Sequence, residues 1–265
     1  MFDRENYINS PVEIEKELLL LLERDKVNTV FDVGACEAED SIRYAKLFPN
    51  AKVYAFEPRP DNIEKGKSSI EKHKIKSVVL ENLALSDREG KADFFLSEGQ
   101  PKGTEDIKDW DFGNKSSSLL PPSEEMKKHT EWLQFKSKIE VNTQRLEVYV
   151  KQKGIRQIDF MHLDVQGAEL IVLAGAGTFL HAIQMIWMEV EAVELYKGQP
   201  LKQEVEAFMT ERGFVNVLDT VNQVSGDQLY VNKRFFSNEQ INRVKTRTKR
   251  TGVLHRFISF FKRGA

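Results

Sequence analysis

The sequence contains a single cysteine, Cys36, and no apolar run long enough to cross a bilayer. One cysteine excludes an internal disulfide framework and a cysteine-rich zinc site. The leucine run at residues 18–22 is far shorter than the roughly 20 residues of a membrane-spanning helix. It lies in a predicted amphipathic helix over residues 11–25, with Ser10 as the N-cap. The polar first residues do not resemble a secretory signal, so a cytoplasmic protein is predicted.

Acidic residues are missing from the end of the chain. Residues 241–265 carry eight Lys and Arg and no Asp or Glu, although the whole chain has a net charge of −2. The acidic body disfavours nucleic acid, whereas the basic tail predicts an anionic partner. One helical face of the tail is apolar, with Val253, Leu254, Phe257, Ile258 and Phe261. This pattern is typical of an interfacial helix on the inner, anionic face of a membrane. The alternative is a helix docked on its own domain or on a second subunit of a homodimer.

Short apolar runs alternate with helical patterns through the middle of the chain. The runs that predict strands are residues 29–33, 52–56, 78–85, 92–96, 158–165, 185–191, 214–218 and 228–231. The helical patterns between them are residues 38–47, 60–73, 168–180 and 201–212. This order predicts an α/β protein with a doubly wound, mostly parallel sheet that ends in an antiparallel C-terminal hairpin.

Changes in composition divide the chain into three parts. Residues 1–28 are predicted to be an N-terminal helical segment, residues 29–236 the main domain, and residues 237–265 a basic amphipathic tail. Within the main domain, residues 97–137 interrupt the alternation with glycine, proline and serine. A long insertion in a compact domain is more often a functional lid than a linker.

The first predicted strand ends in Asp32-Val33-Gly34-Ala35. Ligands of open parallel sheets bind beyond the carboxyl ends of the strands. Gly34 allows close approach to the backbone, and the helix that follows offers free N–H groups. Asp32 is placed to accept a cation such as an ammonium. A tight turn that binds nothing is the alternative.

Glu57 ends the second predicted strand, 23 residues after Gly34. A carboxylate at this place accepts hydrogen bonds from both hydroxyls of a ribose. The later glycines of a dinucleotide site are absent, and Glu37, Glu39 and Asp40 would repel a diphosphate. A cofactor with ribose, adenine and a positive charge fits better, and S-adenosylmethionine is such a molecule. A nicotinamide-dependent oxidoreductase is therefore disfavoured.

Further acidic residues end the later strands. Asp164 points into the same crevice, and His162 shares its strand face. Because an alcohol is a weak nucleophile, a base helps its reaction; Asp164 is the first candidate and His162 the second, with a buried core histidine as the alternative. Glu189 and Glu191 are candidates for binding substrate hydroxyls, as is Trp110 of the insertion. A divalent cation bound by these acids is the less favoured alternative.

Several segments together resemble the FkbM-type methyltransferase family. In order from about Thr29 to about Val231, they are FDVGA, VYAFEPRPDNIEK, NLALSDREGKADFF, SSSLL, IDFMHLDVQGAELIVLAGA and IWMEVE. The resemblance implies a class I methyltransferase fold with a seven-stranded sheet, S-adenosylmethionine as cofactor and O-methylation, often of sugars or polyketides. The residues then expected around the cofactor are Asp32, Gly34, Ala35, Cys36, Glu57, Pro58, Asn82, Ala84 and Ser118.

Three positions depart from the pattern of that family. Cys36 stands where Asn is usual, Ala38 where Gly is usual, and His162 where Lys is usual. A domain that binds S-adenosylmethionine without catalysis is therefore the alternative function. The function predicted from the sequence is O-methylation of a small molecule or saccharide, including a lipid-linked or polysaccharide glycan if the tail binds a membrane.

Overall fold

The computed structural model describes residues 3–250 and shows a seven-stranded sheet with the order β3-β2-β1-β7-β8-β10-β9. The strands of the protein are β1 (Thr29–Val33), β2 (Lys52–Phe56), β3 (Val78–Glu81), β4 (Ala84–Ser86), β5 (Gly90–Glu98), β6 (Gln134–Arg145), β7 (Ile158–Leu163), β8 (Ile183–Glu191), β9 (Phe214–Asp219) and β10 (Ser225–Asn232). In this sheet β10 runs in the opposite direction to the other six strands. The predicted fold, including the C-terminal hairpin, is confirmed.

Helices cover both faces of the sheet because its central strands are apolar on both sides. The helices are α1 (Arg4–Asn9), α2 (Glu15–Leu21), α3 (Glu39–Leu47), α4 (Pro60–Lys72), α5 (Glu124–His129), α6 (Leu146–Lys153), α7 (Glu169–Gly175), α8 (Lys202–Glu211) and α9 (Asn238–Arg250). On β7, Phe160 packs with α2 and α3, and Met161 packs with α6 and α7 on the opposite face. The strand order reverses between β1 and β7, which is where a ligand crevice is expected.

A second sheet of three strands, β4-β6-β5, was not predicted. Strand β6 pairs in parallel with β4 and antiparallel with β5. The predicted strand at residues 78–85 is two strands, β3 and β4, which are separated at Asn82. The side-chain amide of Asn82 donates to the carbonyl oxygens of Glu57 and Pro58 at 3.1 and 2.9 Å. The insertion connects β5 to β6 and includes α5 and a 3-10 turn at Gly113–Ser116.

The predicted helix over residues 11–25 is shorter than expected, and its predicted N-cap is wrong. Helix α2 covers only Glu15–Leu21 of that range, and Ser10 caps the C-terminus of the separate helix α1 in an extended conformation (ψ 150°). Helix α1 ends at Asn9 because Pro11 disfavours helical geometry in Ser10, the residue before it.

The tail begins as a helix docked on the domain. Ile241 and Val244 of α9 are buried against α2 and β9. The apolar pattern at residues 253–261 lies outside the described residues. Among the described helices, none combines the length and the hydropathy needed to cross a membrane.

Candidate active site

A cavity of about 520 Å³, counted with the solvent space at its mouth, lies at the carboxyl ends of β1, β2 and β7. The predicted site residues in its wall are Gly34, Cys36, Glu57, Pro58, Ala84 and Asp164. Wall residues that the sequence reasoning missed include Phe94, Asn114, Lys115, Leu119 and Gln166. Sheet and insertion therefore build the cavity together.

Glu57 is held in the cavity wall by two backbone donors. Its Oε2 accepts from the N–H of Cys36 at 2.9 Å and its Oε1 from the N–H of Arg59 at 2.7 Å. Burial outweighs these hydrogen bonds and raises the pKa of Glu57 to about 8. Each carboxylate oxygen keeps a second lone pair, so the side chain can accept hydrogen bonds from two neighbouring hydroxyls.

The loop after β1 has an unusual backbone. Gly34 has φ +89°, and a Cβ there would lie 1.7 Å from the carbonyl oxygen of Asp164, so the close approach of β1 and β7 itself requires glycine. Cys36 (φ 48°) and Ala38 (φ 64°) are both left-handed. Asn and Gly adopt this conformation at the least cost. The two departures from the family pattern thus keep the loop geometry at some cost in strain.

One end of the cavity is apolar. Phe94 of β5 and Ala84 of β4 come from the small sheet, and Leu119 comes from the insertion. Phe94, Ala84 and Leu119 belong to one apolar cluster, and Pro58 and Leu83 also line the cavity. Aliphatic and aromatic side chains suit a planar base. Phe94 and Leu119 were missed because their place depends on the pairing of β5 with β6.

Lys115 brings a cation from the insertion to the cavity wall. Its Nζ donates to Glu39 at 3.1 Å, lies 3.5 Å from the Sγ of Cys36, and stands 4.1 Å above the ring of Trp110. Burial opposes the charge, but Cys36, Glu39 and Glu37 raise the pKa of Lys115 above its ordinary value. Trp110, predicted to bind substrate, instead packs beneath Lys115 and edge-on against Tyr7, outside the cavity wall.

Asp32, which is buried, and His162, which is partly buried, form an ion pair beside the cavity. Nδ1 of His162 lies 2.9 Å from Oδ1 of Asp32, and the hydroxyl of Ser41 donates to Oδ2. Burial lowers the pKa of His162, but Asp32, Asp40 and Asp164 offset this and raise it to about 9. His162 is then a cation at neutral pH, like the lysine usual in the family pattern. A protonated imidazole cannot accept a proton, which favours Asp164 as the base. Asp32 is directed toward His162 rather than into the cavity.

A second group of acids adjoins the cavity at Asp164. The amide Nε2 of Gln166 donates to Asp164 at 2.7 Å and to Glu189 at 2.5 Å. Asp227 pairs with Glu189 in the sheet register. Burial raises the pKa of Asp164 and Glu189, and that of Asp227 to about 8. Within residues 3–250, no three His, Cys, Asp or Glu side chains are arranged to hold a metal ion.

Three further predicted residues, Ser118, Ala35 and Glu191, lie outside the cavity wall. Ser118 is fully buried, and its hydroxyl donates to the carbonyl oxygen of Gln166 at 2.7 Å. The N–H of Ala35 donates to Phe56 at 3.0 Å. Glu191 is buried at the end of β8, two residues after Glu189 and on the same face of the strand. Contacts of these residues with a ligand stay predictions.

The chain is similar to known methyltransferases. The profile of the Methyltransferase FkbM domain matches residues 32–215. The chain is 31% identical over 227 residues to 2-O-methyltransferase NoeI of Sinorhizobium fredii, covering 85% of this chain and 87% of that protein. It is 25% identical over 209 residues to methyltransferase sdnD of Sordaria araneosa, with coverage of 70% and 73%. A crystal structure of an rRNA methylase from Streptococcus thermophilus has a TM-score of 0.45 at 14% identity, with coverage of 85% and 98%.

Proposed function

Because the chain belongs to the FkbM methyltransferase family and is an S-adenosylmethionine-dependent O-methyltransferase, we propose that its acceptor is a hydroxyl of a saccharide. The observation that carries the proposal is a cavity with the carboxyl of Asp164 in its wall, apart from Glu57, which is assigned to the cofactor. Glu189 shares the amide of Gln166 with Asp164, and Asp227 lies opposite Glu189 on β10. Carboxylates accept hydrogen bonds from hydroxyl groups, of which a sugar has several. A relative named a 2-O-methyltransferase supports oxygen as the accepting atom.

The side chains of the cavity wall fit this cofactor. Glu57 would accept the ribose hydroxyls, and the apolar end with Phe94 and Leu119 would receive adenine. Lys115 would pair with the carboxylate of the methionine part. When bound, S-adenosylmethionine supplies a methyl group on a positively charged sulfur.

Asp164 would accept the proton of the acceptor hydroxyl. A positioned base contributes about 10²–10⁴-fold to such a reaction. Burial of Asp164 disfavours its ionised form, whereas the charge of His162 and the side-chain N–H of Gln166 favour it. The enzyme otherwise works by aligning the reacting atoms.

The saccharide proposal is tested by mass spectrometry of acceptors incubated with the enzyme and S-adenosylmethionine. A mass gain of one methyl on a free saccharide, and none on the permethylated saccharide, is the expected result. No product over a broad panel of saccharides would contradict the proposed acceptor. No turnover with any acceptor, together with binding of the cofactor, would favour the non-catalytic alternative.

Replacing Glu57 with Gln is expected to weaken binding of S-adenosylhomocysteine by about 1–3 kcal/mol, because ribose hydroxyls lose charged acceptors. Binding to the wild type should also tighten as the pH rises toward 8, by at most about tenfold per pH unit, since the buried Glu57 must lose its proton first. The Gln variant should lose this pH dependence. Calorimetric titration from pH 6 to pH 9 measures both effects.

Glu81, which ends the neighbouring strand β3 and binds Tyr149 and Lys153 outside the cavity wall, provides the matched control Glu81→Gln. It should leave the affinity unchanged. Equal affinity in wild type and Glu57→Gln would refute the ribose contact. NAD, titrated in the same way, should give no binding.

We also propose that residues 241–265 hold the enzyme on the inner, anionic face of a membrane, where a lipid-linked saccharide would be its acceptor. The eight cations would contribute about 1 kcal/mol each near the surface. In the described part of the tail, Ile241 and Val244 face the domain while Arg243 is exposed.

Flotation with anionic and neutral liposomes tests the membrane proposal. The full chain should float with anionic liposomes at low salt and detach at high salt, because salt screens exposed charges. A chain ending at Arg250 keeps the docked helix α9 and five of the eight cations, so it should float less than the full chain and detach at lower salt. If the full chain stays in solution with anionic liposomes at low salt, the membrane proposal fails, and a homodimer contact of the tail is then tested by sedimentation.

A further inference from the structure

We propose that Gln166 is a positioning residue for methyl transfer, whose amide bridges Asp164 and Glu189 and holds Asp164 ready to accept the acceptor's proton. The proposal rests on the proposed role of Asp164 as the base. Gln166 was part of a sequence motif but had no predicted role of its own. It lies in the cavity wall beside Asp164.

Both the nitrogen and the oxygen of the Gln166 side-chain amide have hydrogen-bond partners. Its Nε2 has two hydrogens, and two carboxylate oxygens lie within reach, Oδ1 of Asp164 at 2.7 Å and Oε2 of Glu189 at 2.5 Å. Its Oε1 lies 2.8 Å from the hydroxyl of Tyr196, a fully buried side chain that also contacts the carbonyl oxygen of Ser116. This arrangement fixes one oxygen of Asp164 and leaves the other for an acceptor hydroxyl.

The backbone at Gln166 supports a role for the side chain. Its φ of +59° is left-handed, which is unfavourable for a residue other than glycine. Glycine would adopt this conformation without that cost, so conformation does not explain a glutamine here. Strain of this kind persists where surrounding contacts hold it and is concentrated at functional sites. The hydroxyl of Ser118 holds the backbone from behind.

Charge explains why a bridging amide matters. Asp164 and Glu189 are like charges on adjacent strands, and burial disfavours ionisation of both. The titratable groups that face Asp164 are His162, Asp40, Glu169, Glu189, Glu191, Asp227 and Tyr196. Of these, His162 alone is a cation when charged. Hydrogen bonds from the Gln166 amide favour the ionised carboxylates, and without them the pair would keep its proton to higher pH.

The test is the pH profile of kcat in Gln166→Leu, which keeps a side chain of similar size but has no N–H. We expect kcat at pH 7 to fall about tenfold and the pH of half-maximal kcat to rise by about one unit. Activity should therefore recover at high pH. The Kd of S-adenosylhomocysteine, measured by calorimetry, should stay within about twofold of the wild type.

Gln199 offers a matched control because it is a buried glutamine nearby. Its Oε1 accepts from the N–H of Tyr196 at 2.6 Å, its Nε2 donates to the carbonyl oxygen of Val193 at 3.3 Å, and within residues 3–250 neither atom hydrogen-bonds to a carboxylate. Gln199→Leu should lower the Tm without moving the pH profile.

An equal fall of kcat at every pH in Gln166→Leu, or a loss of cofactor affinity as large as the loss of kcat, would overturn the proposal. If that variant does not fold, Tyr196→Phe removes the partner of Oε1 and should move the profile in the same direction by a smaller amount. An unmoved profile in Tyr196→Phe would then overturn it as well. Either result leaves the role of Asp164 to be decided by its own substitution.

Discussion

Asp164→Asn is expected to lower kcat by about 10²–10⁴-fold, the range that a positioned base contributes. Asn has nearly the shape of Asp and keeps an oxygen that can accept from Gln166, so the local structure should survive. It cannot take up a proton. Methyl release to a saccharide, with calorimetric binding of S-adenosylhomocysteine as a check on the cavity, measures the effect. Binding should change by no more than about twofold.

Asp227 supplies the comparison for Asp164. It is a carboxyl of the same acidic group, on the other side of Glu189 and outside the cavity wall. Asp227→Asn should therefore lower kcat far less than Asp164→Asn. Full activity in Asp164→Asn would exclude the base role, and His162→Gln would then be measured in the same way. His162→Lys should keep activity, since it preserves the charge.

Thermal stability of the ligand-free protein is expected to fall as the pH rises from about 5 to about 9. The carboxyls whose pKa is raised by burial are Glu57, Asp164, Glu169, Glu189, Glu191 and Asp227. For Glu57, Glu169 and Asp227 the pKa in the folded protein is about 8. In the unfolded chain these groups ionise near pH 4.

The sign follows from proton binding. Between about pH 4 and pH 8 the folded protein holds protons that the unfolded chain has released, so raising the pH favours unfolding. Each such carboxyl costs about 1.4 kcal/mol of stability per pH unit until it ionises in the folded state. The stability that these protonated carboxyls contribute is fully present below about pH 4 and is lost as the pH rises through about 8.

Scanning calorimetry at several pH values measures this loss. Glu189→Gln removes one of the carboxyls and should reduce the slope of Tm against pH. Glu124→Gln, at a surface helix N-terminus paired with Lys127, should leave the slope unchanged. A Tm that is flat or rises between pH 6 and pH 8 would show that the buried carboxyls ionise normally.

Local patterns explain why much of the fold was predictable. Each strand of the large sheet is an apolar run followed by a turn, and the acids at strand ends must meet at one edge of a parallel sheet. Glu57 and Asp164 therefore reached the cavity wall as expected.

Pairing between distant segments explains what the sequence concealed. Asp32 lies directly across from His162 in the register of β1 and β7, and no local pattern shows that a cation stands there. Lys115 and Leu119 reach the cavity because β6 returns to pair with β4 and β5 after the insertion. The sequence has many lysines and leucines, so residue type alone does not identify these two as part of the cavity wall.

The backbone contact of Cys36 has a consequence for finding related enzymes in genomes. Its N–H, not its side chain, donates to Glu57, so the contact persists through changes of residue as long as the left-handed turn is kept. Search patterns that demand Asn and Gly in this loop would discard sequences that retain a working cofactor pocket. Patterns anchored on the glycine after β1 and the carboxylate after β2 would recover them.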